Sequence, residues 1–437
     1  MNIRDAEFRK FLIVWAGQLF SAIGSGLTAF ALGVFVFQKT QSAMDYSLII
    51  LFNFLPSFLM LPFTGVLADR FDRKKMMILG DAGSIIGILF ILFVMMSGNV
   101  ELWHIYLGVA LSSVSTAIQT PAYKAAVSDL VSEELYSQAS GLIQLAGSAQ
   151  YLISPMIAGF LVSVFDIKLV LILDIMTFVI AVAAVLVITK CEAAPRKQDN
   201  QNFLRDLADS FRYLLSRKGI LWLVVLTSMV CFYIGLLQSL FGPMVLALAD
   251  SRTLGIALSL SATGMLVSSL LIGVFGLKQS KVFILSLFLA LAGLFYALMG
   301  LFPAVAMIIV FGFLFFVTLP FVNTSLEVLI RTNVDNENQG RVWSMVSAIS
   351  QVGFILAFGS AGFLSDHVFN PLLLPDGALS QTVGQLIGTG QGRGIGLLFV
   401  LSGLLVSILG LMIGRVKKIK ALESDAAGEA RAADVSG

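Results

Sequence analysis

Apolar stretches of about 20 or more residues, broken only by short polar turns, recur along almost the whole chain. A helix of that length crosses the hydrocarbon core of a bilayer, and in that solvent only helices and closed barrels satisfy all of their own backbone polar groups. Composition points the same way. Hydrophobic residues make up 58% of the 437 and charged residues only 12%, and the mean hydropathy is +0.93. Soluble domains carry roughly a quarter charged residues. An all-α membrane protein is therefore expected, with little chain left for a soluble catalytic domain and no enzyme activity. The first apolar run, Phe11 to Phe37, is longer than the core of a cleavable signal and lacks a small-residue cleavage site, so it reads as the first span.

Charges, Pro/Gly turns and polar clusters divide the chain into twelve spans. Six lie near 10–37, 45–68, 76–97, 102–123, 138–164 and 168–189, giving a first bundle over 1–189. A polar segment over 190–218 follows; its stretch NFLRDLADSFRYLLS is amphipathic and suits the membrane surface. The second bundle, 219–414, holds spans near 219–248, 254–277, 281–301, 304–329, 340–366 and 393–414, and a tail over 415–437 without an apolar face reads as disordered. With a cytoplasmic amino terminus, only Lys39, Lys168, Arg252 and Arg393 of the 28 Lys and Arg residues fall outside. That asymmetry places both termini in the cytoplasm. The net charge of +2 gives no reason to expect a nucleic-acid partner.

The two halves carry faint copies of each other. GVLADRFDRKKMMIL from Gly65 aligns with GVFGLKQSKVFIL from Gly273, the segment from Pro121 to Gly141 with that from Pro320 to Gly340, and AGFL at Ala158 with AGFL at Ala361. Duplication of a six-helix unit puts a substrate path between the halves near the bilayer midplane.

The segment GVLADRFDRKKMM, Gly65 to Met77, resembles the signature loop of the major facilitator superfamily between its second and third helices. The resemblance implies the major facilitator fold, two six-helix bundles, and assigns the loop, with Gly65, Asp69, Arg70, Arg73 and Lys74, to a latch of the outward-facing state. In this reading Asp69 faces a helix N-terminus. Stretches including WAGQLFSAIGSGLTAFALGVFVFQKTQSA, TPAYKAAVSDLVSEEL and NQGRVWSMVSAISQ are similar to the macrolide-efflux and siderophore-exporter branch. GSAQYLISPMIAG resembles the fifth-helix exporter motif: Gly147, Pro155 and Gly159 are kept, and Ser154 stands where the family has Gly.

Polar residues inside spans are costly and mark function or helix pairing. Asp174 lies about two turns into the sixth span. It is a candidate for proton coupling, with a hydrogen-bonded structural role the favoured alternative because third and sixth helices usually lie outside the cavity of such transporters. Asp81, eight residues after Arg73, is a second candidate, expected to be solvated or paired with the basic loop. Glu327 is a third, on a lining helix, with an i to i+4 pair to Arg331 as its alternative. Uncharged polar candidates for the lining are Gln18, Ser21, Ser25, Asn53, Gln119, Gln144, Gln238 and Asn323, with Gln150 and Gln351 beside them. With 35 Phe and 16 Met to line the remainder, the cavity suits bulky amphipathic organic molecules.

No phosphate-binding G-x-x-x-x-G-K-[ST] loop is present, so a gradient must supply the energy. GTGQGRGIG, Gly388 to Gly396, has no preceding strand and reads as a flexible external hinge. His104 and His367 form no metal-ligand pattern, and no cofactor or metal is expected. These features lead to a monomeric twelve-helix exporter of small amphipathic organic substrates in the bacterial inner membrane, coupled through its resemblance to proton entry. A peptide-siderophore exporter, a lipid flippase and a non-transporting membrane sensor stay open as alternatives.

Overall fold

A computed structural model describes residues 6–132, 135–186, 218–277, 279–334 and 339–416. The amphipathic connection expected over 190–218 and the tail over 415–437 lie, but for their edges, outside the described residues. Among the described residues every regular element is helical: α1 Ala6–Thr40, α2 Ala43–Arg70, α3 Arg73–Ser97, α4 Leu102–Leu130, α5 Tyr136–Leu152, α6 Ser154–Val164 and α7 Ile167–Leu186. Then come α8 Lys218–Leu246, α9 Ser251–Phe275, α10 Lys281–Leu301, α11 Val305–Thr332, α12 Gln339–Phe363, α13 Asn370–Leu373, α14 Val383–Ile387 and α15 Arg393–Ile413. Among the described residues eleven stretches are long and apolar enough to cross a membrane, counting α5 with α6 as one and α12 with α13 as one. The remaining long helix is α4, of 29 residues. It is diluted by Ser112, Ser113, Ser115, Thr116, Gln119 and Thr120.

Three elements differ from the expected spans. Helix α4 runs on past 123 to Leu130 with Pro121 in its interior, and α11 carries Pro320 in the same way. Proline removes one helical donor and kinks a helix, but a long span packed on neighbours continues through it. The fifth span is two helices, α5 and α6, meeting at Ile153 before Ser154 and Pro155. The glycine-rich run before α15 forms a defined turn. Gly388, Gly390 and Gly392 take left-handed backbone angles with φ of 93°, 112° and 78°. Buried Arg393 then donates from Nη2 to the carbonyls of Gly300 at 3.0 Å and Leu301 at 3.4 Å, where α10 ends. Cations at a helix C-terminus satisfy its orphan carbonyls. Leu373, Ile387 and Leu397 close a small apolar cluster beneath this loop.

The helices group into two compact units, one of Met1–Gln198 with Ala249–Ser259, the other of Asp199–Leu248 with Leu260–Gly437. Lipid supplies no hydrophobic drive for helix association, so each unit relies on close backbone approach at small residues. In the first, a Cβ at Gly87 of α3 would lie 2.6 Å from the Gly108 carbonyl of α4. In the second, a Cβ at Gly403 of α15 would lie 2.5 Å from the Gly293 carbonyl of α10. Gly403→Val is therefore expected to overpack the α10–α15 seam by about 1–3 kcal/mol and to lower the thermal midpoint in detergent, read by size-exclusion fluorescence. Gly359→Ala, where a Cβ meets nothing within 4 Å, should leave the midpoint unchanged. Equal midpoints for the two variants would refute close packing at Gly403.

Candidate functional site

Polar residues at 18, 21, 25 and 28 follow one face of α1 at helical spacing. That face closes, with α2, α3, α4, α5 and α7, a cavity of ≈ 410 Å³ inside the first unit. Its wall takes Gln18, Ser21, Ser25 and Thr28 from α1, Asn53 and Ser57 from α2, Asp81 from α3, Gln119 and Lys124 from α4, Gly147 and Gln150 from α5, and Asp174 from α7. Aliphatic side chains such as Leu32, Ile49, Ile88 and Val109 fill the remainder.

A chain of hydrogen bonds crosses three helices in this wall. Gln119 Nε2 donates to Gln18 Oε1 at 2.5 Å, and Gln18 Nε2 donates to Asp81 Oδ2 at 3.2 Å. A carboxylate only accepts, so Gln18 must turn its NH₂ toward Asp81, which leaves its carbonyl for Gln119. Asp81 is 2% exposed. This corrects the expectation that it pairs with the basic loop. Eight residues past Arg73 amount to about 12 Å along the helix, which carries the carboxylate beyond reach of the loop. Arg73 instead bonds Asp129 on α4, with Nη1 2.6 Å from each carboxylate oxygen and 3.0 Å from the Ala125 carbonyl.

Asp174 is 0% exposed and lies behind the same cavity. Thr177 Oγ1 donates to its backbone carbonyl at 2.7 Å and sits 3.3 Å from Oδ1. The third and sixth spans each contribute a carboxyl to the wall of this cavity inside the first unit. Glu327 accepts from Arg331 Nη2 at 2.8 Å with both side chains exposed. It makes the i to i+4 pair.

Of the lining candidates, Gln18, Ser21, Ser25, Asn53 and Gln119 are in the wall; Gln144 is exposed on α5 and is not part of it. Gln238 and Asn323 are exposed on α8 and α11 in the second unit. A hollow there is of a different kind, ≈ 20 Å³ and lined by Tyr233, Tyr296, Phe315 and aliphatic residues. Among the described residues, Phe178 and Tyr123 are the aromatics of the larger cavity, no Met lines it, and hydroxyls and amides do. Sequence reasoning missed Thr28, Ser57 and Ser113. Ser57 and Ser113 join α2 to α4 through an Oγ–Oγ bond of 2.7 Å, and Ser113 Oγ donates to the Asn53 carbonyl at 2.6 Å. The serine-rich run of the fourth span was the available signal.

In the signature loop, Asp72 is the helix cap: its Oδ1 accepts from Lys74 N at 2.8 Å and Lys75 N at 3.3 Å. An Asp directly before a helical run is the usual capping position. Lys74 Nζ donates to the Leu186 carbonyl at the end of α7. The side chains of Gly65, Asp69 and Arg70 lie outside the described residues. In the exporter-motif segment, Ser154 Oγ donates to the Ile23 carbonyl of α1 at 2.9 Å. A Cβ at Gly159 would lie 2.6 Å from the Ser251 carbonyl. Among the described residues no three His, Cys, Asp or Glu come together in a metal-binding group.

Residues 14–357 match the family model described as Major Facilitator Superfamily. The chain is 28% identical over 375 residues to macrolide efflux protein A of Streptococcus pyogenes, covering 82% of this chain and 90% of that protein. It is 26% identical over 211 residues to the enterobactin exporter EntS of Shigella flexneri, across 47% of this chain and 50% of the other. Among solved structures, a bacterial homologue of the human lysosomal transporter Spinster superposes with a TM-score of 0.69 at 12% identity, covering 95% of this chain and 98% of that one. The helical architecture, the membrane-embedded polar cavity and the family match over most of the length agree: this multi-pass membrane protein belongs to the Major Facilitator Superfamily of transporters.

Proposed function

We propose that the protein is a secondary active transporter that exports amphipathic organic molecules of the macrolide kind by alternating access, driven by proton entry. It works as a monomer in the bacterial inner membrane with both termini in the cytoplasm. The observation that carries this reading is the pair of buried carboxyl side chains, Asp81 and Asp174, in the wall of one cavity within the membrane-spanning helices. An ionised Asp at mid-membrane costs roughly 2.5–3.5 kcal/mol on insertion scales, so two in one wall ask for a role that repays them. Reversible protonation is such a role. Likeness to a macrolide efflux protein over most of both chains supports organic cargo moving outward. The shorter likeness to an enterobactin exporter supports a siderophore as the second reading.

Within the coupling proposal Glu327 drops out, because its carboxylate is held by Arg331 at the helix surface. The signature loop, with Gly65, Asp69, Arg70, Arg73 and Lys74, latches the transport cycle, and the Arg73–Asp129 bond supports that assignment by tying the start of α3 to the end of α4.

Cells expressing the protein are expected to extrude a macrolide or a cationic dye from a panel, and a protonophore should abolish the efflux. Efflux that persists after the proton gradient collapses would remove proton coupling. Asp81→Asn and Asp174→Asn, at normal membrane levels, should each weaken dependence on an imposed pH gradient by about tenfold or more, since a neutral amide cannot carry the proton. Unchanged gradient dependence in both would clear these residues of coupling. For the latch, Arg73→Gln and Asp129→Asn should each slow turnover several-fold with little effect on apparent affinity, and the charge-swapped double variant should recover part of the rate. Additive losses in the double variant would count against a shared bond.

A further inference from the structure

The two buried carboxyls differ in what already holds them. Asp81 is engaged by Gln18, itself fixed by Gln119, in bonds that join α3, α1 and α4. Asp174 Oδ2 and the Thr28 hydroxyl, buried in the same cavity wall, face each other, and neither has a hydrogen bond of good geometry to any group. The local packing brings these groups together. Gly24 and Thr28 stand four residues apart on one face of α1. A Cβ at Gly24 would lie 2.6 Å from Asp174 Oδ1 and would collide with Thr177 Oγ1. Glycine at 24 is what lets the carboxyl of α7 lie against the α1 backbone, one turn from Thr28.

An uncommitted carboxylate oxygen beside an uncommitted hydroxyl, at the edge of a cavity otherwise walled by amides, hydroxyls and aliphatic groups, is suited to a single positive donor on an apolar body. The lining as a whole carries two carboxyls against one ammonium, Lys124. A protonated amine donates its N–H to the carboxylate oxygen while the hydroxyl oxygen faces the same positive charge, and charge-assisted bonds of this kind are about twice as strong as neutral ones. Resting on the export function proposed above, we infer that Asp174 and Thr28 form a recognition site for the protonated amine of an amphipathic substrate, while Asp81 belongs to the internal brace and does not touch the cargo. This narrows the substrate class to amphiphiles bearing a basic nitrogen.

Equilibrium binding to the purified full-length protein separates the possibilities. The probes are a macrolide with a dimethylamino sugar and the same macrolide with that nitrogen converted to an acetamide. Wild type is expected to prefer the amine form by about tenfold, the ratio that one charge-assisted hydrogen bond carries. Asp174→Asn should bind both forms equally, Thr28→Val should lose about half of the preference on a logarithmic scale, and Asp81→Asn should keep it. Thr28→Ser, which restores the hydroxyl, should restore the preference and guards against a merely structural effect at that position. Wild type binding both forms equally, or Asp174→Asn retaining the preference, would overturn the amine site while leaving macrolide export standing. Binding of neither form by folded wild-type protein would overturn both the amine site and the macrolide reading.

Discussion

Lipid offers no hydrogen bonds, and every polar group that enters the bilayer must find its partner within the protein. Backbone groups meet this demand by coiling into helices. Side chains meet it by reaching to a neighbouring helix, and those reaches organise the first unit. Ser57 and Ser113 fasten α2 to α4, Ser154 fastens α6 to α1, and Gln119, Gln18 and Asp81 run across α4, α1 and α3. Hydrogen bonds of this kind contribute about 1 kcal/mol each in membranes, so their value lies in direction as much as strength. Each one specifies which faces of two helices meet.

The second unit solves the same problem with fewer polar groups. Gly293, Gly300, Gly403 and Gly410 let α10 and α15 approach until backbone touches backbone. Among the described residues a hollow in it is small and apolar, and rings stack nearby, Tyr296 on Phe399 and Phe288 on Phe321. The halves retain matching interior prolines in α4 and α11 from their common pattern. Chemistry has diverged where the skeleton has not: the polar cavity and both buried carboxyls are features of the amino-terminal unit.

The fold was legible because bilayer thickness imposes a helix length on any sequence that lives there, and the signature loop at Gly65 narrowed the family. Boundaries were less legible where proline and glycine act through tertiary context: Pro121 sits inside a helix, Pro155 follows a break, and Gly388 to Gly392 form an ordered turn. At the site, Gln18, Asn53 and Gln119 announced themselves by polarity, whereas the placement of Asp81 and Asp174 depended on which way α3 and α7 face. Span-by-span reading contains no rotation between helices, so a charge two turns inside a helix reads equally as wall or as outer face. Thr28 was overlooked for a related reason, since a hydroxyl in a span ordinarily bonds its own helix.

Arg393 ties the segment between α12 and α15 to the end of α10, and Leu373, Ile387 and Leu397 close beneath it. An antibody fragment raised against this segment would grip a feature bonded directly to a helix end, and would serve as an alignment mark for imaging the molecule.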